Sequence, residues 1–289
     1  MKILRIEELV FGAEDAAAGV KFFEDWGLQK LGANGTGADF TMPSGQVIKV
    51  RAAGDTALPS TQEKGSTLRE ELWGVDNARS LDEIETELSR DREVRRGNDG
   101  SLHTRDPHGF AIGFRVAQAK AIPPEAPAPS RLNQPFDTKL RAKPKRIGHV
   151  VNWVTKAKER EGAEFYLDRL GFRLSDRSAD FGDFMRAAGS LDHHNLGMFN
   201  FRDVVGYGHI AFEVASFDEV MVGGQYMKAQ GWKPSNKPGR HIVGSNTYWN
   251  FQSPCGGNTE YFSDMDMMDD KWEPRVWEKF PGAHIWSAD

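Results

Sequence analysis

Three side chains in the second half of this 289-residue sequence have the types and settings of ligands to one divalent metal: His149, His209 and Glu260. His149 and His209 each follow a glycine and open an apolar run, Gly148-His149-Val150-Val151 and Gly208-His209-Ile210-Ala211-Phe212. Glu260 lies inside a third run, Thr259-Glu260-Tyr261-Phe262. A carboxylate in such a strand is costly to bury unless it is paired or bound to metal. Two neutral imidazoles and one carboxylate make a facial triad that suits iron(II), with manganese(II) as the other candidate, and leaves positions open for reactants. Ligands on three strands are also held more rigidly than ligands on loops. Taken one at a time the three residues are ordinary, since strand histidines occur in many cores and surfaces; the pattern is what carries the reading.

Five of the eight histidines fall between 149 and 241, among them the pair His193-His194 and His241 in Gly239-Arg240-His241. Histidine suits acid–base work because its pKa can be tuned close to the operating pH. A pair at the start of a strand sends one ring inward and one outward, and His194 is expected inward.

These residues need strands to hold them, and the second half supplies them. Residues 147–154, 181–187, 195–199, 209–214, 248–252 and 259–262 read as short strands. Residues 217–230 read as a helix whose pattern is weakened by Gly223-Gly224. The two halves of the chain look alike. Phe22-Phe23-Glu24-Asp25-Trp26-Gly27-Leu28 matches Phe165-Tyr166-Leu167-Asp168-Arg169-Leu170-Gly171-Phe172 in kind, an amphipathic helix closed by glycine before a strand. Asp106-Pro107-His108-Gly109 and Ser253-Pro254-Cys255-Gly256-Gly257 both precede a final strand. Two such matches predict an internal duplication. The duplicate lacks the ligands: Glu7 to Leu9 stand near the place of His149, Glu70 to Trp73 near that of His209, and Gly113 at that of Glu260. The predicted layout is α+β, with a metal-free module at 1–118, a proline-rich connector at 119–144, a metal-bearing module at 145–264 and a tail at 265–289.

Composition narrows the function. Net charge is -5 with the two signs interspersed, which gives no footprint for nucleic acid. No apolar run is long enough to span a membrane. The start, MKILRIEELVFG, lacks the pattern of a secretory leader. The single cysteine, Cys255, excludes a multi-thiolate metal site and fits a reducing cytoplasm.

The second half resembles the catalytic half of the type I extradiol ring-cleavage dioxygenases, which include catechol 2,3-dioxygenases and biphenyl-diol dioxygenases, of the vicinal oxygen chelate superfamily. The likeness rests on Ile147-Gly148-His149-Val150, Phe165-Tyr166 with Leu170-Gly171-Phe172, Asp192-His193-His194-Asn195-Leu196, Gly208-His209-Ile210-Ala211-Phe212, Gly239-Arg240-His241 and Glu260-Tyr261. The resemblance implies tandem modules of βαβββ units in a glyoxalase-like fold of two domains, with metal in the C-terminal one. It implies that His149, His209 and Glu260 hold iron, that His194 takes up and returns a proton, and that His241 contacts substrate. The substrate would be an aromatic diol, the co-substrate dioxygen, and the setting the breakdown of aromatic compounds by a homo-oligomer.

The sequence departs from that family at one place. The usual tyrosine four residues before the turn proline is Asn250 here, counting back from Pro254, and Tyr248 lies two residues earlier. Positions two apart share a strand face, so Tyr248 is expected to reach the substrate hydroxyl, with Asn250 beside it binding substrate. Val243 and Gly244 also replace the Asn and Asp common in the biphenyl-diol branch. Two alternatives stand beside ring cleavage: a metal-dependent isomerase or epimerase of the same superfamily, and a metal-free protein that sequesters small molecules. The tail, rich in tryptophan and phenylalanine, is expected either to cover the cavity or to dock on the surface.

Overall fold

The computed structural model describes residues 1–118, 120, 122 and 141–288. Most of the connector expected over 119–144, including Pro123, Pro124, Pro127, Pro129 and Pro135, lies outside the described residues. The described chain forms four consecutive βαβββ units. The first is β1 (Ile3–Ala13), α1 (Ala16–Trp26), β2 (Gln29–Asn34), β3 (Gly37–Thr41) and β4 (Val47–Ala52). The second is β5 (Thr67–Val75), α2 (Ala78–Leu88), β6 (Arg95–Arg96), β7 (Leu102–Arg105) and β8 (Ala111–Val116). The third is β9 (Arg146–Trp153), α3 (Glu159–Glu164) running into a π-helical turn at Phe165–Arg169, β10 (Arg173–Ser178), β11 (Gly182–Arg186) and β12 (Leu196–Phe199). The fourth is β13 (Gly206–Glu213), α4 (Phe217–Ala229), β14 (Gly239–His241), β15 (Thr247–Gln252) and β16 (Asn258–Ser263). The tail adds β17 (Arg275–Trp277) and β18 (His284–Ser287).

The units pair into two sheets, ordered β2-β3-β4-β1-β5-β8-β7-β6 and β17-β10-β11-β12-β9-β13-β16-β15-β14-β18. The second order is the first repeated with its corresponding strands, and the tail strands extend its two edges. The duplication expected from sequence is therefore present strand for strand.

Local sequence explains why the elements stop and pack as they do. Asp15 accepts from the Ala18 N–H to cap α1, and Gly27 closes it in the left-handed conformation at φ 103°. The helix expected around Phe165 is a short α-helix followed by a π turn, placed where the adjacent Phe165 and Tyr166 are both buried. The glycine pair in α4 does not prevent the helix. A Cβ on Gly224 would lie 1.9 Å from the Trp249 ring, and one on Gly223 would lie 3.0 Å from Tyr261, so the helix can approach the sheet only with glycine there.

One core runs through both modules. Trp26 of α1 stacks on Tyr261 of β16 at 3.6 Å and 9°, and the Tyr261 hydroxyl donates to the Trp26 carbonyl at 2.8 Å. Truncating a buried aromatic of this kind typically costs about 3–5 kcal/mol. Gln46 ties the modules through the backbone of Ile6 and Ile147. Asn152 of β9 donates to Glu71 of β5 at 2.6 Å. Glu71 is buried, and burial pushes its carboxyl up to about 7.

That buried acid predicts a pH dependence. The folded state of Glu71 holds its proton more tightly than the unfolded chain, with a pKa of about 7 against an ordinary 4.5. Its contribution to stability is full below the ordinary value and is lost as pH rises through about 7. Glu71→Gln keeps an acceptor for Asn152 but has no proton to lose. Thermal melts across this window should show the variant gaining several degrees on the parent protein as pH rises. Parallel curves for the two proteins would contradict this assignment.

Candidate metal centre and active site

Strand register brings the three expected ligands together. His149 on β9 and Glu260 on β16 both lie opposite Ala211 on the intervening β13. The Ala211 methyl leaves the space between them open. His209 sits two residues back along β13, on the same face as Ala211. Alternation does the rest: Glu260 faces the concave side, while Tyr261 turns the other way onto Trp26. The glycine before His149 has a steric reason, since a Cβ on Gly148 would lie 2.3 Å from the Phe262 ring that packs against His149.

The His149 and His209 Nε2 atoms are 3.1 Å apart. Glu260 lies 3.7 Å from the first and 3.9 Å from the second. All three ligand atoms fall within 4.8 Å of one another, and no other group of three such side chains does so among the described residues. Nitrogens about 2.1 Å from a metal and at right angles to each other are about 3 Å apart, so the imidazole spacing fits two neighbouring positions of a six-coordinate ion. The donor chemistry fits as well. Burial holds His149 well below its ordinary pKa and His209 at about 3, so both rings are neutral donors. Burial raises Glu260 to about 8, and Asn250 opposes that rise. Among the described residues no lysine or arginine pairs with this carboxylate; its partners are amides and the two histidines. A divalent cation would supply the missing charge.

The matching positions of the first module hold no such set. There Leu72 lies opposite both Glu8 and Gly113. Glu8 is paired with Lys49 at 2.6 Å and Arg115 at 3.4 Å, and Glu70 with His103 at 2.7 Å. Glu8 and Glu70, each with a protein partner, stand where the second module has His149 and His209, and Gly113 stands where it has Glu260.

A cavity of about 470 Å³ opens in front of the triad. His194, His241, Asn246, Asn250 and His284 line its polar side, and Trp153, Phe181, Phe184, Phe199 and Phe280 its apolar side. His194 faces inward and packs on His149 with ring centroids 4.3 Å apart. Burial lowers its pKa well below the ordinary value, and burial places that of His241 at about 4, so both are neutral. His193 is not turned outward to solvent as expected. It is fully buried, with Nε2 2.6 Å from Asp176 and Nδ1 3.0 Å from His194 Nδ1. Asp176 stays below the usual carboxylate range despite its burial, because His193 and Arg275 hydrogen-bond to it.

Tyr248 requires a correction. It shares a face with Asn250, as period two demands, and β15 pairs with β16 without a bulge. Its ring, however, lies behind His241, stacked at 4.0 Å, and its hydroxyl is 2.6 Å from His284 Nδ1. The side chain is 1% exposed, and it supports the cavity wall rather than reaching the substrate space. Asn250 does line the cavity. Its amide donates to Glu260 at 2.8 Å, and its buried oxygen has no partner. Sequence reasoning missed Asp176, Asn246 and His284. Asn246 donates to Glu260 at 3.3 Å. Only His284 carried a signal, as a histidine within an aromatic tail.

Comparison with known proteins places this arrangement. Residues 146–261 match the family model of the Glyoxalase/Bleomycin resistance protein/Dioxygenase superfamily. Metapyrocatechase 2 of Cupriavidus necator is 30% identical over 183 residues, which are 60% of this chain and 56% of that protein. The chain thus spans little more than half the length of this relative. The Mn(II)-bound glyoxalase from Novosphingobium aromaticivorans superposes with a TM-score of 0.78 at 23% identity, covering 97% of this chain and 89% of that one. A halotolerant catechol dioxygenase superposes at 0.77 with 19% identity, covering 100% and 95%. The fold is the two-domain vicinal oxygen chelate fold, and the resemblance to extradiol dioxygenases read from the sequence agrees with these relatives.

The triad predicts one metal per chain. Elemental analysis of purified His209→Ala and Glu260→Ala should find it lost, and that of His194→Ala should find it retained. Folded His209→Ala and Glu260→Ala proteins with full metal content would overturn the ligand assignment.

Proposed function

We propose that this chain is an iron(II)-dependent extradiol dioxygenase that opens an aromatic diol ring next to its hydroxyls. The observation that carries this reading is the placement of two neutral histidines, His194 and His241, beside the His149, His209 and Glu260 set in a single aromatic-walled cavity. The metal, once held there, supplies Lewis acidity for two vicinal oxygens and a common meeting place for diol and dioxygen. Manganese(II) has the same donor preferences, and a Mn(II)-bound protein is among the similar structures.

The protein's own groups divide the remaining work. His194 is placed to accept a hydroxyl proton and return it later, since a neutral imidazole can do both. His241 faces the same space from the β14 side and is placed to contact the diol. The free oxygen of Asn250 is an acceptor for a substrate hydroxyl, which replaces the missing phenol with a group that does not titrate. Asn246 and Asn250 orient Glu260, as groups behind a metal ligand commonly do. The aromatic side chains exclude water and hold the ring in place. Phe280 stacks on Phe181 at 3.8 Å and 6°, so the tail covers the apolar end of the cavity.

Size argues for a substituted diol. Pockets of about 300–1,000 Å³ take drug-sized ligands, so a cavity of about 470 Å³ lined by Trp153 and five phenylalanines has room beyond a single ring. The metal-dependent isomerase reading shares the metal set but requires no dioxygen.

Two measurements test the proposal. After anaerobic loading with iron(II), oxygen uptake should follow addition of a catechol, with kcat/KM at least tenfold higher for an aryl- or alkyl-substituted diol than for catechol itself. Absence of uptake across catechols, substituted catechols and biphenyl diols would refute ring cleavage. His194→Ala should keep its metal yet lose about 100-fold or more in turnover, the usual loss for a general acid–base group. Turnover near that of the parent protein would remove His194 from the proton chemistry.

A further inference from the structure

The C-terminal tail lies beyond the segment matched to the superfamily, yet it reaches two of the cavity histidines that are not candidate ligands, His194 through its partners and His241 directly. Its strand β17 pairs with β10 and sets Arg275 opposite Asp176. Arg275 grips the Asp176 carboxylate with Nε at 2.8 Å and Nη2 at 2.7 Å, and Trp277 Nε1 donates to it at 2.9 Å. The strand β18 pairs with β14 at the other edge of the sheet, where the Ala283 carbonyl lies 2.9 Å from His241 Nδ1.

Hydrogen-bond chemistry then dictates where the protons sit. An ionised carboxylate only accepts, so His193 Nε2, 2.6 Å from Asp176, carries a proton. If that is the only proton on the ring, His193 Nδ1 is bare. The 3.0 Å contact between His193 Nδ1 and His194 Nδ1 is a hydrogen bond only when His194 Nδ1 carries the proton. That leaves His194 Nε2 bare. At the opposite edge a backbone carbonyl also only accepts, so His241 Nδ1 is protonated and its Nε2 is bare. Both rings line the cavity, with Nδ1 engaged by the protein in each. Two separate tail contacts thus produce the same outcome on two sides of one cavity.

We propose that the C-terminal tail is a positioning element that fixes the tautomers of His194 and His241, holding each with Nδ1 protonated and Nε2 free to accept a proton or hydrogen bond from the cavity. Arg275 and Trp277 act on His194 through Asp176 and His193, and Ala283 acts on His241 directly. The value of a bare Nε2 for accepting a diol proton rests on the proposed dioxygenase reading; the tautomers themselves do not.

Nitrogen-15 NMR of histidine-labelled, full-length, metal-free protein at neutral pH reads the tautomers without any reaction. His194→Gln and His241→Gln proteins assign the two rings. In the parent protein both should show a protonated Nδ1 and a bare Nε2. In Arg275→Ala/Trp277→Phe, His194 should shift to averaged nitrogen signals while His241 stays as it was. Asp176→Asn leaves the tail side chains in place and should disturb His194 in the same way, so it carries the test if the double variant does not fold. In the iron-loaded enzyme the same variants should lose about 10- to 100-fold in kcat, the usual cost of removing a group behind the reacting residues, with KM little changed. A parent protein with His194 protonated at Nε2, or a His194 tautomer unaltered in the folded variants, would overturn the proposal. Failure of every form to consume oxygen would count against the dioxygenase reading and leave the NMR result to decide the tail's role.

Discussion

The C-terminal module is organised around one buried carboxylate. Glu260 sits within the concave face of a sheet, with amides and neutral imidazoles as its neighbours and its pKa raised to about 8. Such a group is expensive to bury as an anion without a positive charge nearby. The three-strand register of β9, β13 and β16 puts two imidazole nitrogens beside it, and Ala211 keeps the centre open. A divalent cation held there would offset the electrostatic cost. The first module meets the same geometric problem differently, with Lys49 and Arg115 neutralising Glu8.

The scaffold serves that constraint. Four repeated units give two sheets of matching strand order, and a common aromatic core fixes the modules against each other. Because Tyr261 is locked onto Trp26, the neighbouring Glu260 is held on the concave face. The tail then binds both edges of the second sheet and closes over the cavity through Phe280. Among the described residues no helix is long and apolar enough to cross a membrane.

Much of this was legible in the sequence, for identifiable reasons. Glycine-histidine starts of apolar strands, a glutamate inside a hydrophobic run and a repeated helix–glycine–strand pattern are local signals, and they marked the duplication and brought His149, His209 and Glu260 into view together. What was not legible depended on tertiary packing. Period two put Tyr248 on the right face but could not reveal that His241 lies over its ring or that His284, 36 residues on, takes its hydroxyl. The partnership of His193 with Asp176 joins separate strands and is completed by tail residues with no periodic pattern of their own. Gly223-Gly224 looked like a weakness in a helix, whereas the close approach of Trp249 makes small residues necessary there.

The claim on which the rest depends is a single metal held on adjacent central strands of one sheet. Anomalous diffraction at the iron edge, on crystals of the full-length protein grown with iron(II) under anaerobic conditions, tests it most directly. The account predicts one peak per chain within bonding distance of His149 Nε2, His209 Nε2 and a Glu260 oxygen, and none in the first module. A peak at Glu70 and His103, or none beside Glu260, would contradict it.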